Sequence, residues 1–220
     1  MIDTIDQHDT FADLLERLGG IPLDRIVAHP TPGTATEDDV IRFLEKPRKR
    51  ICELIDGVLV EKAVGFREGV FGSWIGHMIW KFIDAEDMGL VLGSDSPFRL
   101  QVGLVRFPDI CFISWDRMPG GEMPDVAIGS IVPNLAIEVL SRSNTKAEIE
   151  LKLDHYFEAG VQAAWVINPK TQTADVYTSR RRVKHFDSTG VIDGGKVLPG
   201  FQLSLAELFA VPKRKKRSKK

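Results

Sequence analysis

A carboxylate inside an apolar run is the first feature of this sequence that indicates chemistry. Glu138 interrupts residues 135–140, which otherwise have the composition of a central strand buried on both faces. A buried carboxylate costs several kcal/mol unless it is paired, protonated or bound to a metal ion. Asp109 begins a second apolar strand directly after Pro108, so the two carboxylates converge if their strands are neighbours.

Paired carboxylates, water molecules and a substrate phosphate are the ligands with which proteins usually hold Mg²⁺. The sequence therefore predicts a Mg²⁺ site formed by Asp109 and Glu138. In the alternative interpretation, Asp109 caps a strand and Glu138 is paired with a core arginine or lysine, with no metal. Residue spacing alone leaves both interpretations open.

Two further charged residues lie in apolar settings. Lys152 has the helical neighbours Ile149 and Leu153, which place it close to an apolar face. A lysine aimed at a carboxylate cluster can polarise a metal-bound water and offset negative charge in a phosphoryl transition state. The alternative for Lys152 is an ordinary i, i+4 pair with Glu148. Glu53, on a predicted strand, either completes the acidic cluster or faces solvent at a sheet edge.

The elements that position these residues follow from hydrophobic spacing and from capping and turn residues. Asp56-Gly57 predicts a tight hairpin between residues 51–55 and 58–61, because Asp-Gly supplies the positive φ angles that such a turn needs. Helices are predicted over 9–20, 36–47, 70–83 and 145–160, and further strands over 90–92, 98–102, 109–114, 135–140, 163–167, 174–178 and 183–186. The strand, helix and strand within 135–167 predict a crossover with parallel strands, and hence an α/β fold with a mixed sheet.

The size and cysteine content of the chain restrict its organisation. A length of 220 residues with 43% hydrophobic content suits one domain with short extensions: an N-terminal helix and linker at 1–35, the main domain at 36–210 and a tail at 211–220. Cys52 and Cys111 lie in apolar runs outside any CxxC pattern, which indicates a reducing compartment without a zinc site. With no signal-peptide pattern and no apolar stretch of about 20 residues, we expect a cytoplasmic protein without a membrane partner.

The charge distribution points to a polyanionic partner. The formal net charge is −2, but the last eight residues carry seven positive charges, which leaves −9 for the remainder. A basic tail attracts nucleic acid without selecting a sequence, whereas an acidic body repels it unless metal ions intervene. The alternative is that the tail is a disordered end that only improves solubility.

The candidate residues also belong to an ordered set of short motifs. These are Cys-Glu-Leu-Ile-Asp-Gly at 52–57, Phe-Pro-Asp-Ile at 107–110, Leu-Ala-Ile-Glu-Val-Leu-Ser at 135–141, Lys152 with Tyr156, Gly160-Val161 and Ala-Trp-Val-Ile-Asn-Pro at 164–169. The set resembles the bacterial Uma-two type family of putative restriction endonucleases, a branch of the PD-(D/E)XK nuclease superfamily. The resemblance extends from about Thr36 to Phe209.

This resemblance implies a restriction-endonuclease-like fold, with a mixed β-sheet flanked by helices. It further implies a Mg²⁺-dependent endonuclease, for which Mn²⁺ is the alternative ion. The implied partner is nucleic acid, with DNA as the leading candidate. The implied catalytic residues are Asp109, Glu138, Lys152 and Glu53, and the implied metal ligands are Asp109, Glu138 and Val139. A homodimer is compatible with it, although no self-contact pattern stands out.

The chain departs from the family pattern at three places. One of them is Glu148, where family members commonly have Asp. Leu140 occupies the position of the usual superfamily lysine, so Lys152 would have to replace it from the following helix. A histidine that is common after the hairpin is missing, with Arg67 and Glu68 nearest to its place. The competing functions are therefore an idle nucleic-acid-binding or regulatory module on the same fold, and a protein-interaction domain that does not bind nucleic acid.

Overall fold

A computed structural model describes residues 10–47, 50–63 and 65–210 of the protein. The helices are α1 (Phe11–Arg17), α2 (Glu37–Glu45), α3 (Phe66–Glu86), α4 (Lys146–Ala159) and α5 (Leu205–Phe209). The strands are β1 (Cys52–Ile55), β2 (Val58–Glu61), β3 (Gly89–Gly93), β4 (Phe98–Gln101), β5 (Leu104–Arg106), β6 (Ile110–Ser114), β7 (Leu135–Val139), β8 (Ala163–Asn168), β9 (Thr173–Ser179), β10 (Arg182–Phe186), β11 (Val191–Asp193) and β12 (Gln202–Ser204). The tail at 211–220 lies outside the described residues, so its role stays a prediction.

The largest sheet has six strands in the order β10-β9-β8-β7-β6-β3. Strands β7 and β8 are parallel and are joined through α4, while the other neighbouring pairs are antiparallel. The predicted crossover and the mixed sheet are therefore confirmed. The predicted helix over 145–160 corresponds to α4, which begins after the cap Thr145 and ends at Gly160 in a left-handed conformation.

A second, antiparallel sheet has the order β2-β1-β5-β4. Its β1–β2 hairpin turns at Asp56 and Gly57, which have φ angles of 48° and 72°, and this confirms the predicted tight turn. Strand β5 was not predicted from the sequence, because three residues between a glycine turn and a proline are too short to show a hydrophobic period. The paired strands β11 and β12 were missed for the same reason.

These elements form layers around the six-stranded sheet. Helix α3 packs on one face, together with β11, β12 and α5. Helices α1 and α4 and the inner face of the four-stranded sheet pack on the other. Helix α2, which begins with the predicted Thr36–Asp39 capping box, covers the outer face of the four-stranded sheet. No helix in the described ranges is long and apolar enough to cross a membrane.

The antiparallel pairing of β6 with β7 sets the position of the predicted carboxylates. Asp109 directly precedes β6, and its backbone N–H donates to the carbonyl oxygen of Ile137 at 3.0 Å. Glu138 and Val139 are the last two residues of β7. The start of β6 and the end of β7 therefore lie at the same end of the sheet, as the sequence argument required.

Candidate active site

Asp109 is fixed to both neighbouring elements by its two carboxylate oxygens. Its Oδ2 accepts a hydrogen bond from the backbone N–H of Val139 at 2.7 Å, so the side chain does cap the adjacent strand. Its Oδ1 lies 2.8 Å from the Nζ atom of Lys62. The side chain of Asp109 is 16% exposed, which makes it the most accessible carboxylate of the group that contains Glu138 and Glu53.

Glu138 points from β7 towards α4, on the opposite side of the sheet from α3. Its Oε2 lies 3.0 Å from Lys152 Nζ, and its Oε1 accepts a hydrogen bond from the hydroxyl of Tyr156. Burial raises the pKa of Glu138, the ammonium of Lys152 opposes that rise, and the negative charge of Asp109 adds to it. Glu138 thus has a core lysine as its partner, and Asp109 is close enough to act on it electrostatically.

Glu53 is completely buried between the two sheets, which excludes the solvent-facing alternative. Its Oε2 lies 2.8 Å from Arg106 Nη1, and its Oε1 lies 3.3 Å from Lys152 Nζ. The backbone N–H of Phe107 also donates to Oε1 at 3.3 Å. Burial alone would raise the pKa of Glu53, but the cations Lys152, Arg106 and Lys62 outweigh it and lower that pKa to about 2.

Lys152 bridges Glu53 and Glu138 from the buried face of α4. Burial lowers its pKa, but the two carboxylates outweigh burial and hold that pKa above its ordinary value. Glu148, the alternative partner for Lys152, is instead bound by both terminal nitrogens of Arg25 at 2.7 and 3.0 Å, and by the amide of Asn144 at 3.0 Å. The structure therefore places Lys152 inside the cluster that also contains the predicted Asp109, Glu138 and Glu53.

Arg106 belongs to the same cluster and is almost fully buried. Its Nε and Nη2 atoms contact the Nδ1 atom of His155 at 3.2 and 2.8 Å, so Nδ1 acts as the acceptor of a neutral imidazole. Burial, and then the charge of Arg106, lower the pKa of His155 to about 3. Arg106 therefore connects Glu53 to His155.

Lys62 and Arg106 are the two charged residues that the sequence argument missed. Lys62 follows β2, and it continues the inward-facing alternation of Val58 and Val60. Arg106 alternates in the same way with Leu104 on β5. A charged residue at an inward-facing position of a strand indicates a buried charge. This signal can be used only after the strand and its buried face have been recognised from the sequence.

A cleft of about 540 Å³ opens beside Asp109, between α3, β3 and the start of β6. Glycines form much of the α3 wall of the cleft, at positions 65, 69, 72 and 76. A Cβ atom at Gly69 would meet no atom within 4 Å, so the wall is open at this position. The remaining polar lining residues include Glu68, Ser94 and Asp95 beside Asp109. Asp109 is thus the member of the cluster that lines the cleft and is accessible to solvent there.

The donor atoms of the cluster fit a hard divalent cation. Asp109 and Glu138 supply carboxylate oxygens, and Val139 can contribute only its backbone carbonyl oxygen. No group of three or more histidine, cysteine, aspartate or glutamate side chains in the described part of the chain is arranged to hold a metal ion. Mg²⁺ keeps several water ligands and needs only one or two carboxylates, so the donor set suits Mg²⁺ and not a closed zinc site.

Comparison with known proteins agrees with this geometry. The crystal structure of a putative nuclease belonging to DUF820 from Anabaena variabilis ATCC 29413 is similar, with a TM-score of 0.66 and 23% sequence identity. The similarity covers 77% of this chain and 97% of that chain, and at this identity it shows the fold alone. A comparison with curated proteins finds no match. The family described as "Uma2: Putative restriction endonuclease" matches residues 38–206. This chain therefore belongs to the Uma2 putative restriction endonuclease family, as its motifs indicated.

Proposed function

We propose that this protein is a metal-dependent endonuclease that hydrolyses phosphodiester bonds, with DNA as its substrate and Mg²⁺ as its ion. The observation that carries the proposal is the convergence of Asp109, Glu138 and Lys152 at one end of the sheet, with Asp109 open to a cleft. Membership of a nuclease family supports the same conclusion. The two free, buried cysteines, Cys52 and Cys111, agree with the cytoplasm as its compartment.

Asp109 and Glu138 would hold the ion, together with the carbonyl oxygen of Val139. When bound, Mg²⁺ supplies a water of lowered pKa and a positive charge beside the reacting phosphate. The cleft beside α3 gives the scissile strand access to this position, since its glycine-rich wall leaves room for a sugar-phosphate backbone. An acidic cleft of this kind would repel DNA without the ion, so metal binding precedes substrate binding in this scheme.

Lys152 acts in this proposal through Glu138. Its ammonium lies between Glu53 and Glu138, and its side chain is only 3% exposed. Lys152 and the hydroxyl of Tyr156 each bind one oxygen of Glu138, which fixes the orientation of the carboxylate. Lys152 is therefore a positioning residue, and Glu53 holds Lys152 in place from its other side.

A cleavage assay tests the proposal. Plasmid, linear and single-stranded DNA, and RNA as a comparison, are incubated with the full chain and Mg²⁺ or Mn²⁺. We expect cleavage of DNA that stops when EDTA is added, and a loss of about 10²-fold or more in Asp109→Asn, because the variant lacks a charged metal ligand. The matched control is Asp175→Asn, which removes a carboxylate that is paired with His185 at the surface. Cleavage that survives in Asp109→Asn would contradict the assigned site.

One observation favours the alternative of an idle module on the same fold. Each carboxylate already has a cationic partner inside the protein: Lys62 for Asp109, Lys152 for Glu138 and Arg106 for Glu53. The cluster is thus neutralised without a metal ion. Calorimetric titration with Mn²⁺ separates the two functions, since an active site of the proposed kind must bind the ion and an idle one need not. The absence of salt-dependent DNA binding would instead favour the protein-interaction domain.

A further inference from the structure

The ammonium group of Lys62 lies between two oxygen atoms at the cleft. Its Nζ atom is 2.8 Å from Asp109 Oδ1 and 3.2 Å from the carbonyl oxygen of Ser94. Asp109 and Ser94 both line the cleft, whereas the side chain of Lys62 is buried behind them. A positive charge at Asp109 Oδ1 occupies the position that a hard metal cation would take on the same oxygen atom.

We propose that Lys62 competes with the divalent ion for Asp109. It neutralises the carboxylate while the ion is absent, and it withdraws from Oδ1 when the ion binds. This inference rests on the proposed function, because it takes Asp109 as a ligand of the ion. Lys62 is a positioning residue in this account, since it acts on the site through Asp109.

The contacts of the two lysines explain why Lys62 is the one that exchanges. Lys152 is bound by two buried carboxylates, so moving it would leave Glu138 without a cation and Glu53 with Arg106 alone. Lys62 is bound by one carboxylate and one neutral carbonyl, and that carboxylate is partly exposed to the cleft. When Lys62 leaves, an incoming cation replaces its charge on Asp109, and no buried carboxylate is left without a partner.

The other oxygen of Asp109 keeps the carboxylate in place during this exchange. Its Oδ2 accepts from the backbone N–H of Val139, a contact that does not depend on Lys62. Without either cation, the charge of Asp109 would act on Glu138, whose pKa it already raises. Lys62 therefore keeps the two carboxylates together while the ion is absent, and it weakens binding of the ion through competition and repulsion.

Calorimetric titration of the full chain with Mn²⁺ tests this inference without any cleavage assay. Lys62→Met should bind the ion about tenfold more tightly or better, because the competing charge is removed. Its metal-free form should melt at a lower temperature than the wild type, and saturating Mn²⁺ should raise its melting temperature by more than it raises that of the wild type. The control is Arg99→Met in the four-stranded sheet, which removes a cation that is paired with Glu37. This variant should leave the affinity for Mn²⁺ unchanged.

Lys62→Gln provides a second variant if Lys62→Met does not fold, since the amide is neutral and can still donate to the Ser94 carbonyl. An affinity that is equal to or weaker than that of the wild type in the folded variant would overturn the inference and leave the proposed function standing. If neither wild type nor variant binds Mn²⁺, the metal-dependent function itself fails, and this inference fails with it. Tighter binding in the variant, with Arg99→Met unchanged, is the expected result.

Discussion

The cluster has two halves that differ in their access to solvent. The buried half contains Glu53, Arg106, Glu138 and Lys152, whose side chains are at most 7% exposed. The cleft half contains Asp109, whose side chain is 16% exposed, and its partner Lys62, which is buried behind it. Partners inside the protein cannot be replaced by water, so the buried half is fixed once the protein has folded. We propose that an ion or a substrate replaces an internal partner in the cleft half.

This comparison predicts that the largest loss of stability comes from the centre of the buried half. Lys152→Met should lower the free energy of unfolding by about 3–5 kcal/mol, because it leaves Glu53 and Glu138 without their shared cation. Urea denaturation in EDTA measures the loss. The control is Arg180→Met between β9 and β10, which removes the partner of Glu150 and Asp154 on α4; we expect about 1 kcal/mol or less. Equal losses in the two variants would contradict the comparison.

The pH dependence of stability gives the next largest effect. The cations around Glu53 hold its pKa at about 2 in the folded protein, against an ordinary value of 4.5, so its charged form is favoured by folding. The resulting stabilisation, on the order of 3 kcal/mol, is present above pH 4.5 and is lost as the pH falls towards 2. Denaturation measured from pH 7 to pH 2 should show a difference between wild type and Glu53→Gln that shrinks over this range. A difference that stays constant would show that Glu53 is not held as a carboxylate.

Removing a single hydrogen bond from the buried half should have a smaller effect. Tyr156→Phe deletes the hydroxyl that donates to Oε1 of Glu138 and leaves the ring packing in place. Since the acceptor is a buried carboxylate, we expect a loss of about 2 kcal/mol in the free energy of unfolding. Tyr177→Phe, at a partly exposed tyrosine, is the control. A loss as small as that of the control would mean that Glu138 does not need this donor.

The smallest stability change is expected in the cleft half. Asp109→Asn should alter the metal-free free energy of unfolding by about 1 kcal/mol, because the lost pair with Lys62 is offset by relief of repulsion with Glu138. The same variant should lose the rise in melting temperature that Mn²⁺ gives the wild type. Thermal melting with and without the ion measures both quantities. A loss as large as that of Lys152→Met would place Asp109 in the buried half.

The sequence allowed the site to be predicted where a charged residue breaks an apolar pattern. Glu138 and Asp109 stood out in this way, and the crossover through α4 placed Lys152 on the same side of β7 as Glu138. The hairpin and the mixed sheet followed from a turn dipeptide and from hydrophobic periods, which are local signals.

The missed features depend on how distant segments pack. Glu53 is on a hairpin whose inner face is covered only because the four-stranded sheet packs against α4, so its burial could not be derived from local spacing. Arg106 is on β5, a strand of three residues without a detectable period. Lys62 lies in the cluster because β2 ends beside Asp109. Strand β2 belongs to the four-stranded sheet and Asp109 precedes a strand of the six-stranded sheet, so this contact depends on how the two sheets pack.

We propose that the ion enters at the cleft half while the buried half keeps its partners. An anomalous difference map from crystals of the full chain soaked in Mn²⁺ tests it most directly. We expect a peak about 2 Å from Asp109 Oδ1, with the ammonium of Lys62 moved away and Lys152 still between Glu53 and Glu138. Two results would contradict this expectation. One is the absence of a peak at Asp109 under saturating Mn²⁺, and the other is a peak at Asp109 while the ammonium of Lys62 is still in contact with Oδ1.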